Sequence, residues 1–282
     1  MLLHRSDDAS LTEARATTKR VARTFALACR LRPRGLRDDV YRLYLVFRTL
    51  DDLVDDGDAR AAQRIAAVEL WCAGRVGGGG LSREVQLLDG LDRRHTLPRD
   101  AIADFCAGMR HDLEHAGIET EADLDIYCYR VAGTVGIVMS AVLGATDPTA
   151  PLHASALGQA MQRTNILRDI DEDLENGRVY VARETLGRLC GGTLPPPAQR
   201  KELLRDQIAR ADALYDVGLA GVGLLPCGQR AIAAAGAMYR EILRQIERDG
   251  YHAQAGRAIV SRRRKLLVAV RPLAQSQSQH EA

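Results

Sequence analysis

Apolar side chains return every three or four positions along almost the whole chain, the spacing that gives a helix one buried face. Period-two alternation bounded by turn residues, the mark of strands, is scarce. The pattern predicts an all-α fold with helices at about 12–30, 37–55, 59–74, 82–94, 98–115, 121–145, 152–176, 198–220, 228–248 and 256–271. Helix breakers fall between these segments: Arg32-Pro33-Arg34-Gly35, the glycines 77–80, Leu97-Pro98, Asp147-Pro148, and Leu194 to Pro197. The four glycines follow no strand and carry neither G-x-G-x-x-G nor a Walker lysine, so they read as a flexible connection. No repeat period emerges.

With 46% hydrophobic and 27% charged residues, the 282-residue chain can bury a sizeable core. A single domain over 1–282 is expected, its core at about 12–272, with frayed ends and a polar tail from Gln275. The formal charge of +2 selects no partner, but its make-up is skewed: Lys19, Lys201 and Lys265 are the only lysines among 39 basic residues. Arginine's planar fork suits diphosphate, while on a solvated surface it needs no function at all. Six cysteines at 29, 72, 106, 128, 190 and 227 form no C-x-x-C pair, which fits reduced, buried thiols. The first residues, MLLHRSDDAS, meet charge before any long apolar run, and no stretch is apolar for the ~18 residues of a membrane span. A soluble, cytoplasmic protein is expected.

The chemistry concentrates in two helical segments. Between residues 41 and 56, helical spacing aligns Tyr41, Tyr44, Arg48, Asp51 and Asp55, flanked by Leu43, Leu45, Val46, Phe47 and Leu50. Carboxylates four apart repel on a helix, and Asp52 and Asp56 add to the negative charge. In a largely buried helix such charges need a cation, and magnesium, which prefers oxygen ligands and binds through one or two carboxylates plus phosphate, is the natural one. A solvated acidic helix end stopping at Asp56-Gly57-Asp58 is the plainer alternative. The second segment repeats the arrangement: Gln162, Asn165, Asp169 and Asp173 share one face, with Arg168 at its edge and Ile166, Leu167 and Ile170 elsewhere. Two such walls across a helical bundle would hold metal ions and clamp a diphosphate. Tyr127 to Ser140 joins tyrosines to a small-residue helix; Ala132, Gly133 and Gly136 either leave room for an isoprenoid chain or serve close helix packing.

These segments resemble the squalene and phytoene synthase family, whose members join two prenyl diphosphates head to head. The resemblance is carried by Arg23-Thr24-Phe25-Ala26-Leu27-Ala28, the Asp51–Asp55 segment, Tyr127 to Gly136 and Asn165 to Tyr180, with a weaker echo at Gly250-Tyr251 and Val260 to Leu266. It implies an isoprenoid-synthase helical bundle with a central active-site cavity and magnesium on Asp51, Asp55, Asp169 and Asp173. It implies further that Arg48, Arg168, Gln162 and Asn165 contact diphosphate, and that Phe25, Tyr44 and Tyr127 line the reaction site. Tyr127 would serve the second half-reaction, and Tyr251 and Arg264 would add to diphosphate binding. Ala22-Arg23-Thr24-Phe25 departs from the family's common Ser-x-Ser-Phe, and Val181-Ala182-Arg183 stands where Leu-Pro is common.

The implied reaction is a magnesium-dependent, two-step prenyl transfer through a cyclopropylcarbinyl diphosphate to a phytoene-, dehydrosqualene- or squalene-type product. Manganese is the expected substitute for magnesium, and NADPH is called for only if squalene is made. Substrates of fifteen or twenty carbons are expected, twenty being favoured, with no nucleic-acid partner and no transmembrane segment; peripheral membrane contact and oligomeric state stay open. The rivals are terpene synthase-like chemistry or prenyl transfer using a single prenyl diphosphate, and a non-catalytic helical protein binding nucleic acid through Arg262-Arg263-Arg264-Lys265.

Overall fold

Val40, Leu43, Phe47, Leu50 and Val54 recur on one side of helix α1 (Arg34–Asp55), and all five are buried. Burying each such side chain fully stabilises the fold by about 1.5–3 kcal/mol, which holds α1 in place although its other side carries charge. The computed structural model describes residues 34–75, 81–114, 117–251, 256–261, 263, 264, 267 and 268. All regular structure among them is helical.

After α1 come α2 (Ala61–Cys72), α3 (Arg83–His95), α4 (Arg99–Leu113), α5 (Glu121–Cys128) and α6 (Thr134–Val142), with a π-helical turn at Tyr129–Gly133 joining the last two. Then follow α7 (Ala150–Arg168), α8 (Ile170–Glu175), α9 (Arg183–Cys190), α10 (Lys201–Ala220) and α11 (Gln229–Arg248). Local chemistry sets several of these ends. The Ser82 hydroxyl accepts from Val85 N at 3.4 Å to start α3. Thr120 and Asp123 form a reciprocal capping box at α5, and Gly191 in the left-handed region (φ 70°) stops α9.

One apolar core lies among α1 to α4 and α6, and a second among α7, α10 and α11. Helix α7 packs against α6, the π-helical turn, α10 and α11, so it forms the wall between the two cores. It approaches its neighbours at glycines. A Cβ on Gly136 would run into the Ala154 carbonyl, and one on Gly158 into the Ala132 carbonyl. These glycines let the α5–α6 region and α7 meet backbone to backbone, so close packing is what Gly136 provides; Gly133 is likewise closed in, by Ser155 Oγ 2.7 Å from the place of a Cβ.

Three expectations need correction, and one helix, α9, is not among those expected at all. The helix expected at 152–176 breaks at Asp169 (φ −103°, ψ 11°), because its apolar periodicity continues across the break and conceals it. The 121–145 segment ends at Val142 and contains the π-helical turn. Helix α9 has only eight residues, too few for its spacing to stand out. Residues 256–261 are not helical. The helix expected at 12–30 and the glycine run at 77–80 lie outside the described residues.

Candidate active site

The carboxylates of α1 and of the α7–α8 junction converge. Arg178, in the loop after α8, donates from Nη1 to Asp55 Oδ1 at 2.9 Å, while its backbone N–H bonds the Asp173 carbonyl at 2.8 Å. One residue thus ties the end of α1 to the end of α8. On α1, Arg48 Nη1 donates to Asp51 Oδ2 at 2.8 Å and its other terminal nitrogen pairs with Asp52.

The charge balance remains negative. Desolvation first, and Asp55 next, push the Asp51 carboxyl up to about 7. Desolvation and Asp169 do the same to Asp173, also to about 7, with Asp55 and Glu172 contributing. A third carboxylate, Asp112 on α4, is raised to about 6 by burial, with Asp55 adding to the rise. Carboxylates from three helices therefore raise one another's proton affinity although Arg48 and Arg178 lie among them. Carboxylate oxygens are hard donors of the kind a divalent cation takes, although among the described residues no three acidic, histidine or cysteine side chains are grouped closely enough to enclose an ion. Asp51, Asp55, Asp169 and Asp173 are the residues that could hold it.

Beside the carboxylates opens a cavity of about 320 Å³, lined mainly by apolar atoms. Ala150, His153, Ala154, Leu157, Gly158 and Met161 line it along one face of α7, which ends on Gln162 and Asn165 at the polar mouth. Val135, Gly136 and Met139 of α6 face them, and Tyr44 and Tyr239 bring rings to the lining. Asn165 Nδ2 donates to Gln162 Oε1 at 3.3 Å, leaving Asn165 Oδ1 buried with no hydrogen-bond partner among the described residues. That oxygen can still accept a hydrogen bond from a water or face a cation.

Residues 18–264 match the squalene/phytoene synthase family over most of the chain. The chain belongs to that family. It is a prenyltransferase of the squalene/phytoene synthase type, as the sequence motifs imply. It is 37% identical over 245 residues to a phytoene synthase of Thermus thermophilus, covering 83% of this chain and 82% of that one. It is 33% identical to a phytoene synthase of Arthrospira platensis, covering 96% of this chain and 93% of the other. Among solved structures it is similar to a dehydrosqualene synthase in complex with ligand, with a TM-score of 0.83, 26% identity and coverage of 97% of this chain and 99% of that one. The helical fold implied by the motifs is accordingly the fold found.

For a member of this family, the expected site residues fall into three groups. Tyr44, Gln162 and Asn165 line the cavity, while Arg48, Asp51 and Asp55 follow Tyr44 along α1 and Arg168, Asp169 and Asp173 follow Asn165 through the α7–α8 junction, the two segments being tied by Arg178. Tyr127 is buried deeper and is not among the described residues lining the cavity. Its hydroxyl donates to Asp112 Oδ2 at 3.2 Å and its ring stacks on Tyr180 at 5.1 Å. Tyr251 and Arg264 point elsewhere: the Tyr251 ring lies beneath Lys201 and Arg205 at 6.0 and 5.8 Å, and Arg264 Nε donates to Glu241 at 2.7 Å. Tyr41, placed on the polar stripe by spacing, is 3% exposed in the apolar core, and Phe25 lies outside the described residues.

Four residues that spacing did not single out belong to the site. They are Asp112, Arg178, Tyr239, which hydrogen-bonds Arg168, and Arg257, which pairs with Asp169. Arg178 alone left a signal in the sequence, standing five residues beyond Asp173 just before Tyr180.

Proposed function

We propose that this protein condenses two prenyl diphosphates head to head, with magnesium, through a cyclopropylcarbinyl diphosphate to a phytoene-type hydrocarbon. The observation that carries this reading is the convergence of carboxylates from α1 and the α7–α8 junction, next along those helices to Tyr44, Gln162 and Asn165, which line an apolar cavity. Magnesium on these carboxylates would supply Lewis acidity toward the departing diphosphate. Family membership supports head-to-head chemistry, and the phytoene synthases among its relatives support the product class.

The chain's own residues have separate tasks. Arg48 and Arg168 present guanidinium forks to the diphosphate oxygens, and Asn165 and Gln162 orient it with amide hydrogen bonds. The walls on α6 and α7 exclude water from the allylic cation, and the faces of Tyr44 and Tyr239 stabilise positive charge. The Asp112 carboxylate, raised to about 6, lies within reach of the Tyr127 and Tyr180 hydroxyls, at 3.2 and 3.4 Å. Such a group can accept a proton near neutral pH, directly or through a tyrosine.

Length supports twenty-carbon substrates. Ala150 and Asn165 are separated by about 22 Å of helix rise at ~1.5 Å per residue. With carbon–carbon bonds of ~1.5 Å, an extended chain of fifteen bonds spans roughly 19 Å. A fifteen-carbon chain would leave the far end, at Ala150 and His153, unfilled. The direct test incubates the purified protein with magnesium and either the fifteen- or the twenty-carbon diphosphate and identifies products by mass. Dominant phytoene from the twenty-carbon substrate is expected; a product built from one prenyl unit would overturn the reading. Chelation should abolish turnover, and magnesium or manganese should each restore it. Recovery only with zinc, followed as pyrophosphate release, would remove magnesium from the mechanism.

Tyr127→Phe should affect the second half-reaction more than the first. The tyrosine contacts Asp112 and not the cavity mouth, so losing its hydroxyl should leave the first ionisation within about twofold, ~0.4 kcal/mol in barrier. The cyclopropylcarbinyl diphosphate should then accumulate relative to hydrocarbon. Quenching, phosphatase treatment and quantification of cyclopropyl alcohol beside hydrocarbon measure that ratio, and an unchanged ratio rejects the role.

A further inference from the structure

Asp169 is the most heavily countered of the four expected metal-binding carboxylates. Arg168 donates to both of its oxygens, Nε to Oδ1 at 2.8 Å and Nη2 to Oδ2 at 2.5 Å. A second guanidinium, from Arg257, reaches the same carboxylate with Nε 2.9 Å from Oδ1 and Nη2 3.5 Å from Oδ2. Arg257 also lies 3.9 Å from Glu172, and the neighbouring Gly256 N–H donates to Asp171 Oδ2 at 2.9 Å. Asp171 is itself held by the buried Arg200, so the backbone carrying Arg257 is fastened to α8.

With two guanidiniums on one carboxylate, both of its oxygens are engaged, Oδ1 by two donors within 2.9 Å. The carboxylate cannot ligate a dication in that state, because the ion would meet two like charges and find no free lone pair directed at it. One arginine must withdraw. Arg168 is packed, its side chain 17% exposed and hydrogen-bonded to Tyr239; the Arg257 side chain is 52% exposed and so is the freer to move. A diphosphate arriving at Asp169 would offer the released guanidinium a better partner than a single carboxylate.

We propose that Arg257 is a positioning residue that serves as a displaceable counter-ion: it covers Asp169 before the divalent ion binds and turns to the diphosphate once the ion is in place. The consequence is mutual dependence, in which neither metal nor diphosphate binds well alone and each strengthens the other. The inference rests on the magnesium–diphosphate reading of the site.

The test measures Mn2+ binding to the intact protein through the electron paramagnetic resonance signal of free Mn2+, with and without pyrophosphate. Without pyrophosphate, Arg257→Gln should bind Mn2+ about threefold to tenfold more tightly than wild type, since a repelling charge has gone. At saturating metal, its affinity for pyrophosphate should fall about tenfold, from loss of a charge-assisted hydrogen bond. Arg257→Lys, which keeps the charge, should return Mn2+ affinity toward wild type, and circular dichroism should show both variants folded. A residue that only braces the fold would weaken both affinities or neither, and unchanged or weaker Mn2+ binding in Arg257→Gln overturns the proposal. Should the wild-type protein bind no Mn2+ even with pyrophosphate, the metal reading itself fails, an outcome distinct from parallel behaviour of wild type and variant.

Discussion

Asp51→Asn and Asp169→Asn should each lower turnover at least about 10²–10³-fold, the loss typical when one preorganised electrostatic contact to a transition state is removed. Both changes keep side-chain size and take one formal charge from the carboxylate set. Stability should move the other way at position 51. Asp51 lies among Asp52, Asp55 and Asp112; desolvation is the larger cause of its carboxyl being pushed up to about 7, and repulsion from Asp55 adds to it. Its side chain is 40% exposed, so solvent screens much of this, and the metal-free variant should gain no more than about 1 kcal/mol. Asp169 is paired with Arg168 and Arg257, so Asp169→Asn should instead cost a little stability. Pyrophosphate release, with denaturant unfolding in the presence and absence of magnesium, checks both statements. Near-native turnover in either variant, shown folded by circular dichroism, would falsify the two-wall arrangement.

The opposite stability signs at two formally equivalent aspartates show where sequence reasoning stops. Both D-x-x-x-D segments are legible because a carboxylate every fourth residue on a helix with an apolar face conflicts with simple burial. Of the arginines that answer these carboxylates, Arg48 and Arg168 stand in the segments themselves, whereas Arg178 and Arg257 arrive from loops after α8 and α11, and of those two only Arg178, just beyond the second segment, left a signal. Arg257 is instructive. The family resemblance pointed to Tyr251 and Arg264 in the same stretch, yet Glu241, 6% exposed, holds Arg264 and also accepts from Arg248. A buried acid on α11 thus draws one arginine inward while Arg257, seven residues earlier, reaches the site.

The fold divides in the same way. Long amphipathic helices such as α1, α10 and α11 follow directly from their spacing, because their buried faces are continuous. The break at Asp169 is hidden because Ile166, Leu167 and Ile170 all remain buried across it. The break is confined to one residue, since Asp169 N–H still bonds the Asn165 carbonyl and Asp173 N–H the Asp169 carbonyl, at α-helical spacing, on either side of it. The small residues Ala132, Gly133 and Gly136 left two readings open, and close packing is the one seen, with Gly136 crowded by the Ala154 carbonyl while it also lines the cavity. Close helix approach and an unfilled groove beside it are two results of one missing side chain.

Arg163→Met should destabilise the protein by about 3 kcal/mol, the low end of what removing one partner of a buried ion pair costs. Arg163 stands next to Gln162 on α7 but faces away from the cavity, with its side chain 2% exposed. It donates to Gln207 Oε1 at 2.9 Å on α10, and to Glu121 Oε2 at 3.1 Å and Asp125 Oδ1 at 2.6 Å on α5. Glu121 also receives the Thr185 hydroxyl of α9 and the Gln207 amide, so four helices meet at this carboxylate. Burial alone would raise the Glu121 carboxyl, but Thr185, Arg163 and Gln207 together outweigh it and hold it below its ordinary value of 4.5. A depressed folded pKa means that the stabilisation is present above the unfolded value and disappears as pH falls through the folded one. Methionine fills the space of the arginine stem without its charge, leaving Glu121 ionised and short of one donor at neutral pH. The deficit of the variant against wild type should therefore be largest near pH 7 and shrink only as pH falls through the lowered folded value of Glu121, below which the carboxyl is protonated in both proteins and needs no cation. Urea unfolding at pH 7 and at about pH 3, beneath the ordinary glutamate range, measures the two differences. A deficit that is the same at both pH values would assign the loss to packing of the arginine stem, and one under 1 kcal/mol at pH 7 would show that α5, α7, α9 and α10 are held together without this ion pair.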